Sequence, residues 1–164
     1  MLDYFKPKLV PKSFLLFFFM IIGCEAKESF VSTHAPNFES ISFDVVQKQL
    51  VIEPKLPENV QHLVSKWFNQ KVKVDGFEGN MIFTVSDYTE EISSISDGKK
   101  VNIFLSFDVL LNKPSISEKK VIKGSVSSYG TLTGNFSLGE FDTVIQNTQS
   151  DIILRLSRNL NSKI

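Results

Sequence analysis

A short apolar run near the start of the chain constrains the fold more than any other feature. Residues 14–22 contain no polar side chain, and a helix that spans a bilayer needs about 20 such residues. Lys6, Lys8 and Lys12 precede the run, and Gly23 ends it. A basic start before a short apolar core is typical of a signal peptide. The lysines also predict that the part of the chain after the run is exported.

The four residues Ile21-Ile22-Gly23-Cys24 at the end of this run resemble the lipobox of bacterial lipoproteins. In that family the cysteine thiol receives a diacylglycerol, a peptidase cuts before the cysteine, and the new amino terminus is acylated. The resemblance implies that residues 1–23 are a signal peptide and that Cys24 is the lipid attachment site. Cys24 is the only cysteine, so no intramolecular disulfide competes for its thiol. Two or three acyl chains anchor a protein to a membrane stably.

Two alternatives to lipidation stay open at this point. The cysteine could be incidental to an ordinary signal peptide, with a cut after Ala26, or the apolar run could be an uncleaved anchor. Glu25 follows the cysteine, where enteric lipoproteins retained at the inner membrane carry Asp. The resemblance therefore favours a lipid-anchored protein of the cell envelope, at the outer membrane and facing the periplasm.

The charge of the exported part argues against nucleic-acid binding. Residues 1–23 hold three lysines and Asp3, which leaves 15 basic and 17 acidic residues after the cut. Proteins that bind nucleic acid carry a clustered basic surface instead. We expect the membrane, reached through the lipid on Cys24, and another envelope protein as partners.

The remaining chain divides into a tether and one domain. Residues 24–40 show no apolar period and are interpreted as a lipidated tether, and residues 41–164 are long enough for a single domain with its own core. Ile41, Phe43 and Val45 alternate as in a strand, and a phase shift before Leu50 predicts a bulge or two short strands.

Three further strands are predicted in the middle of the domain. They cover residues 79–88, with an extension through Ile95, residues 101–111, and residues 120–128. Asp97-Gly98 predicts a hairpin turn between the first two. The glycine-containing sequence that follows, residues 129–134, fits either a strand continuation or a loop.

Two amphipathic helices complete the domain. Apolar residues at helical spacing begin after Pro57, include Trp67, and predict a helix that stops at Gly76. Ser137 and Glu140 form a capping-box pattern that predicts a second helix from Leu138 to roughly Asn161. The order β-α-β-β-β-α predicts a two-layer α+β sandwich, a mostly antiparallel sheet of about four strands with both helices on one face. The other face would expose Ile82, Phe104 and Leu110, and it is the natural place for a partner.

The sequence offers no residue for catalysis, for a cofactor or for a metal ion. His34 lies in the tether and His62 on the first helix, and neither has a partner at catalytic or metal-ligand spacing. The run Lys119-Lys120, with Lys123, is interpreted as the guard of a sheet edge.

The overall arrangement, a lipidated cysteine followed by this order of elements, resembles that of two groups of proteins. They are the small lipopolysaccharide-assembly lipoproteins and the auxiliary lipoproteins of envelope ABC transporters. Residues Pro57, Asn59, Val60 and His62 also match the start of the first helix in proteobacterial envelope lipoproteins. The resemblance implies a non-enzymatic subunit that binds or scaffolds another envelope component. The alternative is a periplasmic carrier of lipid or of a small hydrophobic ligand, for which we expect an apolar cavity under Trp67.

Overall fold

The structure, a computed structural model, describes residues 39–116 and 118–164. Cys24, His34 and most of the predicted tether lie outside these residues. The elements in chain order are β1 (Ile41–Phe43), β2 (Gln47–Ile52), α1 (Glu58–Lys71), β3 (Val72–Val74), β4 (Asn80–Ile95), β5 (Gly98–Lys113), a 3-10 turn (Pro114–Ile116), β6 (Glu118–Thr133) and α2 (Leu138–Asn161).

A four-stranded mixed sheet, in the order β2-β4-β5-β6, forms one layer of the domain. β4, β5 and β6 are antiparallel neighbours, while β2 pairs with β4 in parallel. β1 and β3 form a separate two-stranded parallel sheet. The predicted α+β class is confirmed. The phase shift before Leu50 marks the change from one sheet to the other.

Both helices pack on the same face of the large sheet. The Trp67 and Phe68 rings of α1 lie 5.5 and 5.8 Å from the ring of Phe83 on β4. Phe83 stacks in turn on Phe107 of β5 at 5.7 Å. The buried apolar residues of α2 belong to the same core: Ile152, Ile153, Leu156 and Leu160. No helix within the described residues is both long and apolar enough to cross a bilayer.

The first helix ends five residues before the predicted stop at Gly76. Lys48 of β2 donates hydrogen bonds through Nζ to the carbonyl oxygens of Phe68 and Val72, at 3.2 and 2.5 Å. A cation at this end also complements the helix dipole. Val72 then leaves the helix in an extended conformation and begins β3. The end of α1 therefore coincides with the pairing of β3 with β1 and with hydrogen bonds from a lysine of another strand.

Gly76 serves a different purpose from the predicted helix stop. A Cβ atom there would collide with the backbone of Asp44 and Val45, between β1 and β2. The Gly76 N–H donates to the Val45 carbonyl oxygen at 3.1 Å. Glycine thus permits two backbone segments to approach closely.

The second helix follows the prediction at both ends. The Ser137 side chain accepts a hydrogen bond from the Glu140 N–H at 3.2 Å, and the Glu140 carboxylate accepts from the Ser137 N–H at 2.7 Å. These contacts lower the pKa of Glu140, the backbone hydrogen bond being the larger cause. The capping box is confirmed.

The three central strands are longer than the sequence pattern predicted. β4, β5 and β6 each contain 16 residues, and β6 continues through the glycine-containing sequence to Thr133. The hairpin turn between β4 and β5 is Ser96-Asp97, one residue earlier than the predicted Asp97-Gly98, because Gly98 already pairs with Ile95 and begins β5. The β4–β5 register shifts between Ser86 and Thr89, where Asp87 has a φ of 51°. This bulge follows the last β4 residue that pairs with β2, Val85.

Candidate functional site

The face of the large sheet that points away from the helices, here called the outer sheet face, exposes apolar side chains. In the paired registers, Ile82, Leu110 and Val121 occupy neighbouring positions in one row across β4, β5 and β6. Val121 is 54% exposed, and Val51 on β2 is 38% exposed in the next row. These four residues form one apolar patch.

A second apolar patch lies nearer the β4–β5 turn. Phe104 of β5 is 39% exposed and Tyr129 of β6 is 64% exposed. Phe104 pairs with Ser127, so Tyr129 is its diagonal neighbour on the same face. The Lys100 ammonium lies 4.9 Å from the centre of the Tyr129 ring, which holds the ring at the surface.

Polar residues separate the two patches. Lys123 and Asp108 form an exposed ion pair at 3.5 Å, and Ser86, Ser106 and Ser125 occupy the next row. Protein–protein interfaces contain both apolar and polar side chains. Two apolar patches with a polar band between them match this composition better than a continuous apolar surface would. The outer sheet face is therefore the candidate binding surface.

The sequence predicted three residues of this surface and missed three others. Ile82, Phe104 and Leu110 are on the outer sheet face as predicted, with Ile82 and Leu110 half-buried. Val51, Val121 and Tyr129 were missed. Strict alternation in β6 places Val121 and Tyr129 opposite the buried Ile122 and Val126, which is the signal that could have found them.

A polar cluster lies on the other side of the sheet, where both helices meet β4. The buried Gln149 accepts a hydrogen bond from Asn59 Nδ2 at 2.7 Å and donates to Glu90 Oε2 at 3.2 Å. The Tyr88 hydroxyl donates to the same carboxylate at 2.6 Å. Burial, followed by the hydrogen bond to Glu90, raises the pKa of Tyr88 well above its usual range. The cluster ties α1, α2 and β4 together.

A second polar contact joins α2 to β6. Asp151 accepts hydrogen bonds from the Ser128 hydroxyl and from Arg155 Nε, both at 2.6 Å. Burial alone would raise the pKa of Asp151, but the Ser128 hydrogen bond and Arg155, with a contribution from Arg158, hold it below its usual value. Ser128 is buried, so the carboxylate satisfies a hydroxyl at the helix–sheet interface.

Two other residues singled out in the sequence, His62 and Trp67, both lie on α1. His62 is exposed on α1. Within residues 39–116 and 118–164, no group of three or more His, Cys, Asp or Glu side chains is placed to hold a metal ion. Trp67 is 2% exposed and does not line the cavity that contains Phe43, Leu111 and Ile164.

One cavity with a largely apolar wall lies at the opposite end of the sheet from the β4–β5 turn. Its volume is about 320 Å³, and its wall includes Phe43, Leu111 and Ile164. An ion pair between Lys113 and Asp44, at 2.5 Å, lies at its rim. The volume is at the lower end of the range for small-molecule sites.

Comparison with known proteins finds bacterial lipoproteins among the structural neighbours. A minor lipoprotein from Acinetobacter baumannii shares 11% identity over 73% of this chain and 92% of its own, at a TM-score of 0.47. Rare lipoprotein B from Shewanella oneidensis shares 18% over 73% of this chain and 100% of its own, at 0.46. A lipoprotein from Neisseria meningitidis shares 13% over 68% of this chain and 97% of its own, at 0.32.

These likenesses are distant, with sequence identities of 11–18% and TM-scores below 0.5. No family model matches the chain, and no curated protein matches it in sequence.

Proposed function

We propose that the protein is a non-enzymatic envelope lipoprotein, anchored through Cys24, that binds another envelope protein with its outer sheet face. The observation that carries the binding role is the pair of exposed apolar patches on a sheet whose opposite face is covered by two helices. A sheet that needs only one covered face for its core has no structural reason to expose Phe104, Val121 and Tyr129 together.

The anchoring role is supported by the sequence before the domain. A basic start, a short apolar run and a terminal Gly23-Cys24 fit export followed by lipidation. The start of β1 at Ile41 leaves residues 25–40 between the proposed lipid and the first strand. A chain of that length spans at most about 55 Å, so the domain stays close to the membrane surface.

The anchor is tested by replacing its cysteine. We expect Cys24→Ala to abolish incorporation of labelled palmitate and to release the protein from the membrane fraction. Ser29→Ala, five residues further on, is the matched control and should leave both unchanged. Palmitate label retained by Cys24→Ala would refute lipidation at this residue.

The binding role is tested with a photoreactive amino acid placed on the domain in intact cells. At position 104, on the outer sheet face, we expect a crosslink to one defined envelope protein. At position 66, an exposed site on α1, we expect none. Equal products from both positions, or no product from position 104, would contradict a specific role for the outer sheet face.

The carrier alternative has one observation in its favour, the cavity of about 320 Å³ beside Phe43 and Leu111. The closely packed core around Trp67 weighs against it, because that is where a ligand between helices and sheet would lie. Mass spectrometry of the protein purified from membranes decides between the two functions. A stoichiometric co-purified lipid that is lost in Leu111→Trp would favour the carrier.

A further inference from the structure

Within residues 39–116 and 118–164, the large sheet has two long stretches of edge without a neighbouring strand. β2 pairs with β4 only from Asn80 to Val85, which leaves the rest of β4 without a neighbour on that side. β6 is the last strand at the opposite side, over its full length from Glu118 to Thr133. Free edges present unpaired backbone N–H and C=O groups and tend to pair with other strands, so proteins usually protect them.

The free part of β4 is protected in two ways. The bulge at Asp87, with its positive φ, interrupts the regular edge. Residues 87–91, which begin at the bulge, contain three exposed acidic side chains: Asp87, Glu90 and Glu91. A bulge and a concentration of like charge both discourage strand addition.

β6 is protected along its first six residues only. Lys119, Lys120 and Lys123 are all exposed there. From residue 124 to residue 133 the sequence reads GSVSSYGTLT and has no charged side chain. In the described part of the chain, no backbone hydrogen bond joins the outward side of β6 to another element. Ser125, Ser127 and the other odd-numbered side chains of the stretch are exposed on the outer sheet face.

We propose that residues 124–133 of β6 pair antiparallel with the same residues of a second copy of this chain. Antiparallel pairing places the lysines of the two copies at opposite ends, outside the paired stretch. Parallel pairing would place Lys119 beside Lys119 of the second copy, and like charges directly opposite each other are destabilising. A twofold arrangement of this kind uses one surface twice and closes on itself.

The free backbone groups of β6 indicate that a polypeptide strand, and not a lipid, binds at this edge. In a strand, every second residue turns its N–H and C=O groups to the free side. Another strand satisfies these groups, whereas an acyl chain offers no hydrogen-bonding partner. The paired copies would form one eight-stranded sheet, β2-β4-β5-β6 followed by its twofold mate. Tyr129 of each copy would then contact the outer face of the other.

The paired area is small, so the membrane contributes to the association. A ten-residue strand pair buries less than a standard interface, and we expect a weak dimer in dilute solution. Two chains tethered to one membrane share a high effective concentration, which favours the dimer. The pairing goes beyond the binding role of the outer sheet face and does not require it, while the contribution of the membrane rests on the proposed anchor at Cys24.

The test is a cysteine scan of the full chain in its own membranes under mild oxidation. Single and paired cysteines replace Ser125, Ser127, Tyr129 and Thr131. Antiparallel partners lie within reach of a disulfide, so we expect dimers from pairs whose residue numbers share one constant sum. The best pair should exceed Ser106→Cys, on the middle strand, by roughly tenfold, because only edge residues come within the Cα separation that a disulfide allows. The parent chain controls for Cys24.

A blocking variant separates edge pairing from chance collision. Ser125→Lys with Ser127→Lys introduces charge into the unprotected stretch. It should abolish the dimer formed by Tyr129→Cys, because residue 129 lies near the centre of the paired stretch and therefore close to residue 129 of the second copy. Ser125→Thr with Ser127→Thr keeps the stretch uncharged and should retain it. Dimers of equal yield from all positions, dimers unaffected by the lysines, or a monomer throughout would overturn the proposal. So would a disulfide to a different protein.

The same lysine variant distinguishes this proposal from the proposed function. A crosslink from position 104 to an envelope protein that persists in the lysine variant supports the binding role alone. Loss of both products with an intact fold would refute the independence of the two surfaces.

Discussion

Gln149 is the side chain through which the polar contacts between both helices and β4 pass. Its amide accepts from Asn59 and donates to Glu90, while the residue itself is only 3% exposed. Asn59 and Glu90 are exposed and can turn to water when Gln149 is lost. The loss of Gln149 therefore costs its own contacts without stranding two buried partners.

We expect Gln149→Ala to lower the free energy of unfolding by about 1–2 kcal/mol, from lost hydrogen bonds and lost side-chain packing. Gln146→Ala, on an exposed site of the same helix, should change it by less than about 0.5 kcal/mol. Urea denaturation measures both variants. Equal destabilisation would mean that the cluster does not hold α1 and α2 to β4.

Because of Asp151, the free energy of unfolding of the domain should change with pH in the acidic range. Its pKa is lower in the folded protein than its usual 3.8, because the Ser128 hydroxyl and Arg155 stabilise the carboxylate against the effect of burial. The contribution to stability is then fully present above about pH 4 and is lost as the pH falls through the lowered pKa. The group is partly exposed, so solvent weakens the effect.

We expect Asp151→Asn to be less stable than the parent chain at pH 7 by about 1 kcal/mol, and the gap to narrow below pH 4. Asn147→Ala, at an exposed position of the same helix, removes no titrating group and should differ from the parent chain by the same small amount at every pH. Thermal unfolding across pH 2.5–7 gives the comparison. A constant gap at all pH values would contradict the role assigned to the ionised carboxylate.

At the scale of elements, glycines in β6 set how closely its neighbours approach. A Cβ atom on Gly130 would lie 2.5 Å from Thr148 Oγ1 and 2.6 Å from Val144 Cγ1 on α2. Gly124 faces the ring of Phe107 in the same way. The sequence around these glycines therefore does not indicate a loop. β6 is a continuous strand there, and Gly130 is needed so that α2 can pack closely against it.

We expect Gly130→Ala to destabilise the domain by about 1–3 kcal/mol, because α2 has to move away from β6. Gly139→Ala, in the exposed first turn of α2 with no atom near the added methyl, should be neutral or stabilising by up to about 1 kcal/mol. Chemical denaturation compares the two identical substitutions. A stabilising Gly130→Ala would show that the strand and helix have room between them.

At the scale of the whole molecule, one core extends across the large sheet and both helices. Trp67, the only tryptophan, contacts Phe83, and Phe83 stacks on Phe107 beneath α2. Its environment therefore reports on the joint packing of α1, β4 and β5.

We expect tryptophan fluorescence and far-ultraviolet circular dichroism to give the same midpoint in urea, since one core supports a single cooperative transition. The emission should be blue-shifted in the native protein, because Trp67 is buried. The Cys24→Ala variant is suitable for the measurement, as it would be free of lipid. Separate midpoints for the two probes would contradict a single cooperative core.

Much of the fold follows from local pattern, and the exceptions have local causes. The capping box at Ser137 and Glu140, the Asp97-Gly98 turn and the alternation of β5 each act within a few residues, so each predicted its element. The end of α1 did not follow from its own sequence, because Val72–Val74 pairs with β1 and Lys48 of β2 donates to the carbonyl oxygens of Phe68 and Val72. β3 was missed because its three residues form a strand only by pairing with β1, which is distant in sequence.

The candidate surface was predicted in part because alternation tells which residues share a face of one strand. It does not tell how the strands are ordered, so the exposure of Val121 and Tyr129 depends on β6 being the edge. Periodicity also leaves open which of two apolar faces the helices cover.

The sequence by itself determined a proposed export and lipidation site, two amphipathic helices, and an α+β domain, since each depends on charge, hydrophobic period or capping within a short stretch. Only the tertiary structure decided that β2 runs parallel to β4 and that α1 stops at Lys71. It also decided that the uncharged residues 124–133 of β6 lie at the edge of the sheet. Those properties arise from contacts between residues far apart in the chain. Their free energy depends on which surfaces meet, which no local pattern contains.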